Sequence, residues 1–152
     1  MEKLNLQSNF VNIYVSGSFQ NKGKINLFIN ELRKRGFNIT FDWTIEFSTI
    51  KDHNKYHISS IQAVNGIREC DILIAIFNSN TDISRGIFTE IGAAIGMGKR
   101  VMILNENHSE CITWLPSERI ETCIYYHHEP LVKVYTSWAE LVIDIPKGVN
   151  DN

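Results

Sequence analysis

A chain of 152 residues and 17.5 kDa is of single-domain size, able to bury about two-thirds of the surface its unfolded form exposes. With 15 Lys and Arg against 17 Asp and Glu there is no basic excess for a phosphate backbone, so a nucleic acid polymer is not the expected partner. Cys70, Cys111 and Cys123 are odd in number and lack CxxC spacing, which argues against a disulfide framework or zinc ribbon and fits a reducing cytoplasm; no leader and no membrane span are expected, since no apolar run approaches ~20 residues.

In chain order, residues 1–10 read as a polar arm. Val11 to Val15 predicts a first strand, stopped by Ser16-Gly17-Ser18, a turn that lets backbone N–H groups approach a ligand. Between Asn21 and Arg35, Ile25, Phe28, Ile29 and Leu32 recur at helical spacing, and Gly36 stands at the C′ cap. Phe37 to Phe41 predicts a second strand that delivers Asp42 and Trp43 to its carboxyl end. Residues 45–56 are polar and aperiodic, a candidate lid. From about His57, Ile58, Ile61, Val64 and Ile67 mark one face of a helix ending near Cys70.

The apolar run from Asp71 to Phe77 predicts the central strand, followed by a polar loop through Ser84, Arg85 and Gly86 and a Gly/Ala-rich helix bearing Glu90 near its start. An acid in a first turn is stabilised as its anion by free N–H groups and the helix dipole, so Glu90 is either a dipole-complementing residue or a candidate nucleophile. Gly98 stands at the C-cap, and Val101 to Leu104 is the next strand. The tail holds a loop with Trp114 and Pro116, a strand at Cys123 to Tyr126, and an amphipathic segment from Ser137 to Ile145. Alternating strands and helices, with no repeat or linker, predict a single α/β domain: a flavodoxin-like three-layer sandwich around a parallel sheet of about five strands. Gly92, Ala93, Ala94 and Gly96 give the Glu90 helix a low-relief side that fits either its own sheet or a second copy of the chain. His53 and His57 have the i, i+4 spacing of a helical metal site but no third ligand, and read as surface histidines; no metal is expected.

Taken together, Ile13-Tyr14-Val15-Ser16-Gly17-Ser18-Phe19, Asp42-Trp43, Val64 to Asp71, and Ser84-Arg85-Gly86 leading to Glu90-Ile91-Gly92 resemble the nucleoside 2-deoxyribosyltransferase family over roughly residues 11–105. The resemblance implies cleavage of an N-glycosidic bond with Glu90 as nucleophile and Tyr14 as the phenol that orients it. Its further implications are substrate contacts from Gly17, Ser18, Phe19, Asp42, Trp43, Ser84, Arg85 and Gly86, no cofactor, and a homodimer or larger homo-oligomer. The implied ligand is a nucleoside or nucleoside 5′-monophosphate. Two positions depart from the transferase pattern. Ala63 stands where an Asp is expected beside the leaving base, and Asp42 or Asp82 is a candidate replacement. Ser84 stands where transferases carry another Asp, and it resembles the phosphate-binding Ser of the related 2′-deoxynucleoside 5′-phosphate N-hydrolases. The alternative is a nucleotide-binding or sensing module of the same fold with weakened turnover.

Overall fold

The computed structural model describes residues 10–46, 53–77, 85–105 and 124–146. Five strands form one all-parallel sheet: β1 (Asn12–Gly17), β2 (Asn38–Ile39), β3 (Ile72–Phe77), β4 (Arg100–Asn105) and β5 (Val132–Tyr135), in the spatial order β2-β1-β3-β4-β5. This is the doubly wound, flavodoxin-like order, and the chain reverses its direction of winding between β1 and β3. Every residue of β3 is buried, which is why its sequence is a continuous apolar run with no polar alternation.

The helices are α1 (Lys22–Lys34), α2 (Trp43–Glu46), α3 (His53–Glu69), α4 (Arg85–Gly96) and α5 (Trp138–Asp144). On α1 the apolar periodicity is realised directly, for Ile25, Ile29 and Leu32 are buried, and the helix is left through Gly36 at φ +90°. Its other neighbour is α5: Phe28 and Trp138 lie with ring centroids 4.3 Å apart, and the indole N–H donates to Glu31 Oε2 at 2.8 Å. The opposite face of the sheet carries α3 and α4. Strand parity distinguishes the two sides, since Tyr14 points at α3 and α4 while a Cβ on Gly17 would strike Ile25 of α1.

Four local expectations need correction. β1 runs through Ser16 to Gly17, because those residues pair in register with Ala75 and Ile76, so Ser16 is a buried strand residue and not part of a turn. β2 keeps only Asn38 and Ile39, and Thr40 turns away to donate its hydroxyl to Gly66 O at 2.8 Å. The inward face of α3 is Ser59, Ala63, Gly66 and Ile67, whereas Ile58, Ile61 and Val64 are 55%, 47% and 42% exposed. Of the branched stripe only Ile67 faces inward, and small residues fill the rest of that face because α3 sits close to the sheet: a Cβ on Gly66 would come within 2.9 Å of Phe41 Cβ and 3.0 Å of the Tyr14 ring. Finally, Ile124–His127 is a 3-10 turn, and the fifth strand lies later, with Val132 paired to Val101. The loop with Trp114 and Pro116, and Cys111 and Cys123, lie outside the described residues.

Candidate functional site

At the carboxyl ends of β1 and β2, beneath α3 and α4, lies a cleft of about 290 Å³. It occupies the point where the strand order reverses, the usual ligand position in open parallel sheets. Tyr14 and Glu90 form its floor; Gly17 and Phe19 follow β1; Phe41 and Trp43 follow β2. The wall from α3 carries Tyr56, Ser59, Ser60 and Ala63, and Gly86 lies one helical turn before Glu90 on the same side of α4.

The Tyr14 hydroxyl donates to Glu90 Oε1 at 3.0 Å across 76 residues of sequence. Tyr14 is fully buried, and both burial and the neighbouring carboxylate push its phenol far above the ordinary range, so it remains a donor at any pH the protein meets. Glu90 differs from its sequence reading. It is the sixth residue of α4, beyond the first turn where the dipole acts, and burial raises its carboxyl pKa above the ordinary value. Ser16 and Tyr14 oppose that rise without cancelling it.

Asp42 belongs to the frame around the cleft. One carboxylate oxygen accepts from the Arg33 guanidinium at 2.8 Å, and the other accepts from the Thr44 backbone N–H at 3.0 Å and from the Thr44 hydroxyl. Asn26 Nδ2 donates in turn to Thr44 Oγ1 at 2.8 Å. This network caps α2 at its first residue, Trp43, whose indole N–H donates to Val15 O at 2.8 Å while its ring lines the cleft. Ser18 caps the short turn Phe19–Asn21, accepting from Gln20 N at 3.3 Å, and this carries Phe19 to the cleft.

Of the residues singled out from sequence, Tyr14, Gly17, Phe19, Trp43, Gly86 and Glu90 line the cleft together. Arg85 is exposed at the start of α4 and is not among the lining residues; Asp82, Ser84 and the middle of the candidate lid, residues 47–52, lie outside the described residues. Phe41, Tyr56 and Ser59 were not singled out, because their roles depend on where α3 crosses the sheet. His53 and His57 sit exposed in the opening turns of α3, and the described residues contain no cluster of three metal-ligating side chains.

Of two larger depressions, one of about 420 Å³ near Phe37 holds Arg33, which pairs with Asp42, and one of about 360 Å³ holds the pair Lys133–Asp144 together with Glu140. Neither joins a partly buried carboxylate to a donor and an aromatic wall. Among the described residues no helix is long and apolar enough to cross a membrane.

The family model described as nucleoside 2-deoxyribosyltransferase matches residues 13–135. Among solved structures, a 2-deoxyribosyltransferase from Bacillus psychrosaccharolyticus is 16% identical at TM-score 0.61, covering 86% of this chain and 89% of that one. A Leishmania mexicana 2-deoxyribosyltransferase is 17% identical at TM-score 0.57, covering 88% and 95%. A CMP N-glycosidase from Clostridium botulinum is 21% identical at TM-score 0.44, covering 61% and 70%. No curated protein sequence matches significantly. The matched family model spans most of the sequence, and the chain belongs to the nucleoside 2-deoxyribosyltransferase family.

Proposed function

We propose that this protein cleaves the N-glycosidic bond of a nucleoside or nucleoside 5′-monophosphate, with Glu90 as the nucleophile and Tyr14 as its orienting donor. The observation that carries the reading is the 3.0 Å hydrogen bond between Tyr14 and Glu90 on the floor of an aromatic-lined cleft. As the bond from the anomeric carbon to the base nitrogen breaks, its electron pair leaves with the base, and positive charge develops on the sugar. An ionised Glu90 stabilises that charge and then bonds to the anomeric carbon; water or a second base afterwards displaces the carboxylate. Phe19, Phe41, Trp43 and Tyr56 supply flat apolar surface suited to a base and sugar face, and they shield the carboxylate from bulk water.

The 5′-monophosphate form is supported by Arg85 at the amino end of α4, beside Gly86 of the cleft, where a cation and helix N–H groups favour an anion. Incubation with paired nucleosides and 5′-monophosphates, with and without an acceptor base, tests substrate and outcome together. Base release lost in Glu90→Ala supports the reading, and release equal to that variant's background refutes it. Unchanged monophosphate affinity in Arg85→Ala removes the phosphate assignment.

A second reading, a binding module with little turnover, is favoured by the α3 wall. Ser59, Ser60 and Ala63 give the cleft no acid from that side to protonate a leaving base. Ligand-induced thermal stabilisation without base release would support it, and increased release in Ala63→Asp would mark the missing acid as the limiting defect.

The homo-oligomer remains a proposal: the sequence reading puts its contact near the Glu90 helix, where Gly92 and Gly96 are exposed, and α3 offers a second, more apolar surface. Ile58, Ile61 and Val64 form an exposed branched stripe, whereas Ala94 of α4 is fully buried in its own core.

A further inference from the structure

We propose that Ser16 is a positioning residue for Glu90, a second donor that joins Tyr14 in holding the ionised carboxylate. The inference rests on the reading of Glu90 given above. Ser16 is fully buried, and among the described residues its hydroxyl makes no hydrogen bond of good geometry. A buried hydroxyl without a partner is destabilising, so its presence on a central strand calls for a reason.

Parity on β1 supplies the direction. Tyr14 and Ser16 are two residues apart and point to the same face of the sheet, toward α3 and α4, while Val15 and Gly17 point to α1. Ser16 is one pleat nearer the carboxyl end, where the cleft opens. Tyr14 donates to only one oxygen of Glu90, which leaves acceptor capacity on the carboxylate. Consistent with that proximity, Ser16 favours the charged form of Glu90 and works against its burial.

Among the described residues no other group is hydrogen-bonded to the hydroxyl. The titratable side chains that share the cleft with Glu90 are Tyr14 from β1 and Tyr56 from α3; Cys70, after α3, lies near Tyr14; β3 contributes only apolar residues to this region. Two neutral donors from one rigid strand therefore hold the carboxylate without neutralising it. During the reaction one Glu90 oxygen bonds to the anomeric carbon while both hydroxyls keep their protons, so neither donor is consumed.

Ser16→Ala removes the oxygen, adds no bulk and leaves the strand intact. The direct test follows the Glu90 carboxyl carbon by NMR across pH in the wild type, Ser16→Ala and Ser16→Cys, alongside thermal melts and, where base release is observed, kcat. The expected result is a Glu90 titration at higher pH in Ser16→Ala, an intermediate position for the weak thiol donor in Ser16→Cys, and a kcat lower by ~10-fold, since hydrogen bonds to charged groups are the stronger class. A titration identical to the wild type, with Ser16→Ala more heat-stable, overturns the inference, for the hydroxyl is then merely unpartnered. Absence of base release in the wild type would refute the proposed reaction, while the titration would still decide whether Ser16 holds Glu90.

Discussion

At Glu90 two opposing effects act on one carboxyl: burial disfavours its charge, and the hydroxyls of β1 favour it. Burial prevails, so the folded-state pKa lies above the ordinary 4.5 and the folded chain binds this proton more tightly than the unfolded chain. The associated stability is full below the unfolded value and is lost as pH rises through the folded one. Glu90→Gln carries no such dependence, and its melting temperature should gain on the wild type over the range upward from the ordinary 4.5. A difference constant across that range would contradict the assignment. Tyr14→Phe should lower base release by roughly 10- to 100-fold, the worth of a hydrogen bond to a charged group, and should move the acidic limb of the pH–rate profile upward. The family resemblance made Tyr14 and Glu90 visible in the sequence, but the electrostatics of Glu90 depended on burial and helix phase, which one-dimensional order does not contain.

Elements, not single residues, set the shape of the cleft. α3 crosses near β1 because Gly66 offers no side chain there; Gly66→Ala would press on Phe41 and the Tyr14 ring and should cost about 1–3 kcal/mol in denaturant titration, together with activity. At Gly92 an added methyl group would meet nothing within 4 Å, so Gly92→Ala should instead stabilise by up to about 1 kcal/mol. Equal effects at the two glycines would refute the close approach of α3. Arg33, Asp42, Thr44 and Asn26 form the support for Trp43, so Asp42→Ala should raise KM more than it lowers kcat; a pure kcat loss would point to direct contact with the reacting atoms. The apolar runs of β3 and β4 and the glycine caps at Gly36 and Gly98 were legible from local chemistry. The face of α3 was not, because its branched residues other than Ile67 pointed outward. The segment at Ile124–His127 has strand-like composition but no partner register, and the shorter run Val132–Tyr135 takes the place beside β4.

For the whole molecule, the parallel three-layer architecture was readable from the alternation of strands and helices, whereas the surface left open by α3 emerged only from the packing. If that surface joins copies, light scattering should give a mass above 17.5 kDa, and Ile61→Glu should reduce it to the monomer value. A wild-type mass of one chain would refute the oligomer. The central claim is chemical: the carboxylate of Glu90 bonds to the sugar. Rapid-quench mass spectrometry of the protein mixed with a 2′-deoxynucleoside addresses it directly. The account predicts a transient chain carrying one sugar, the adduct mapping to the peptide that contains Glu90 and disappearing in Glu90→Ala. Release of free base at the same rate from Glu90→Ala, with no adduct on that peptide in the wild type, would contradict it.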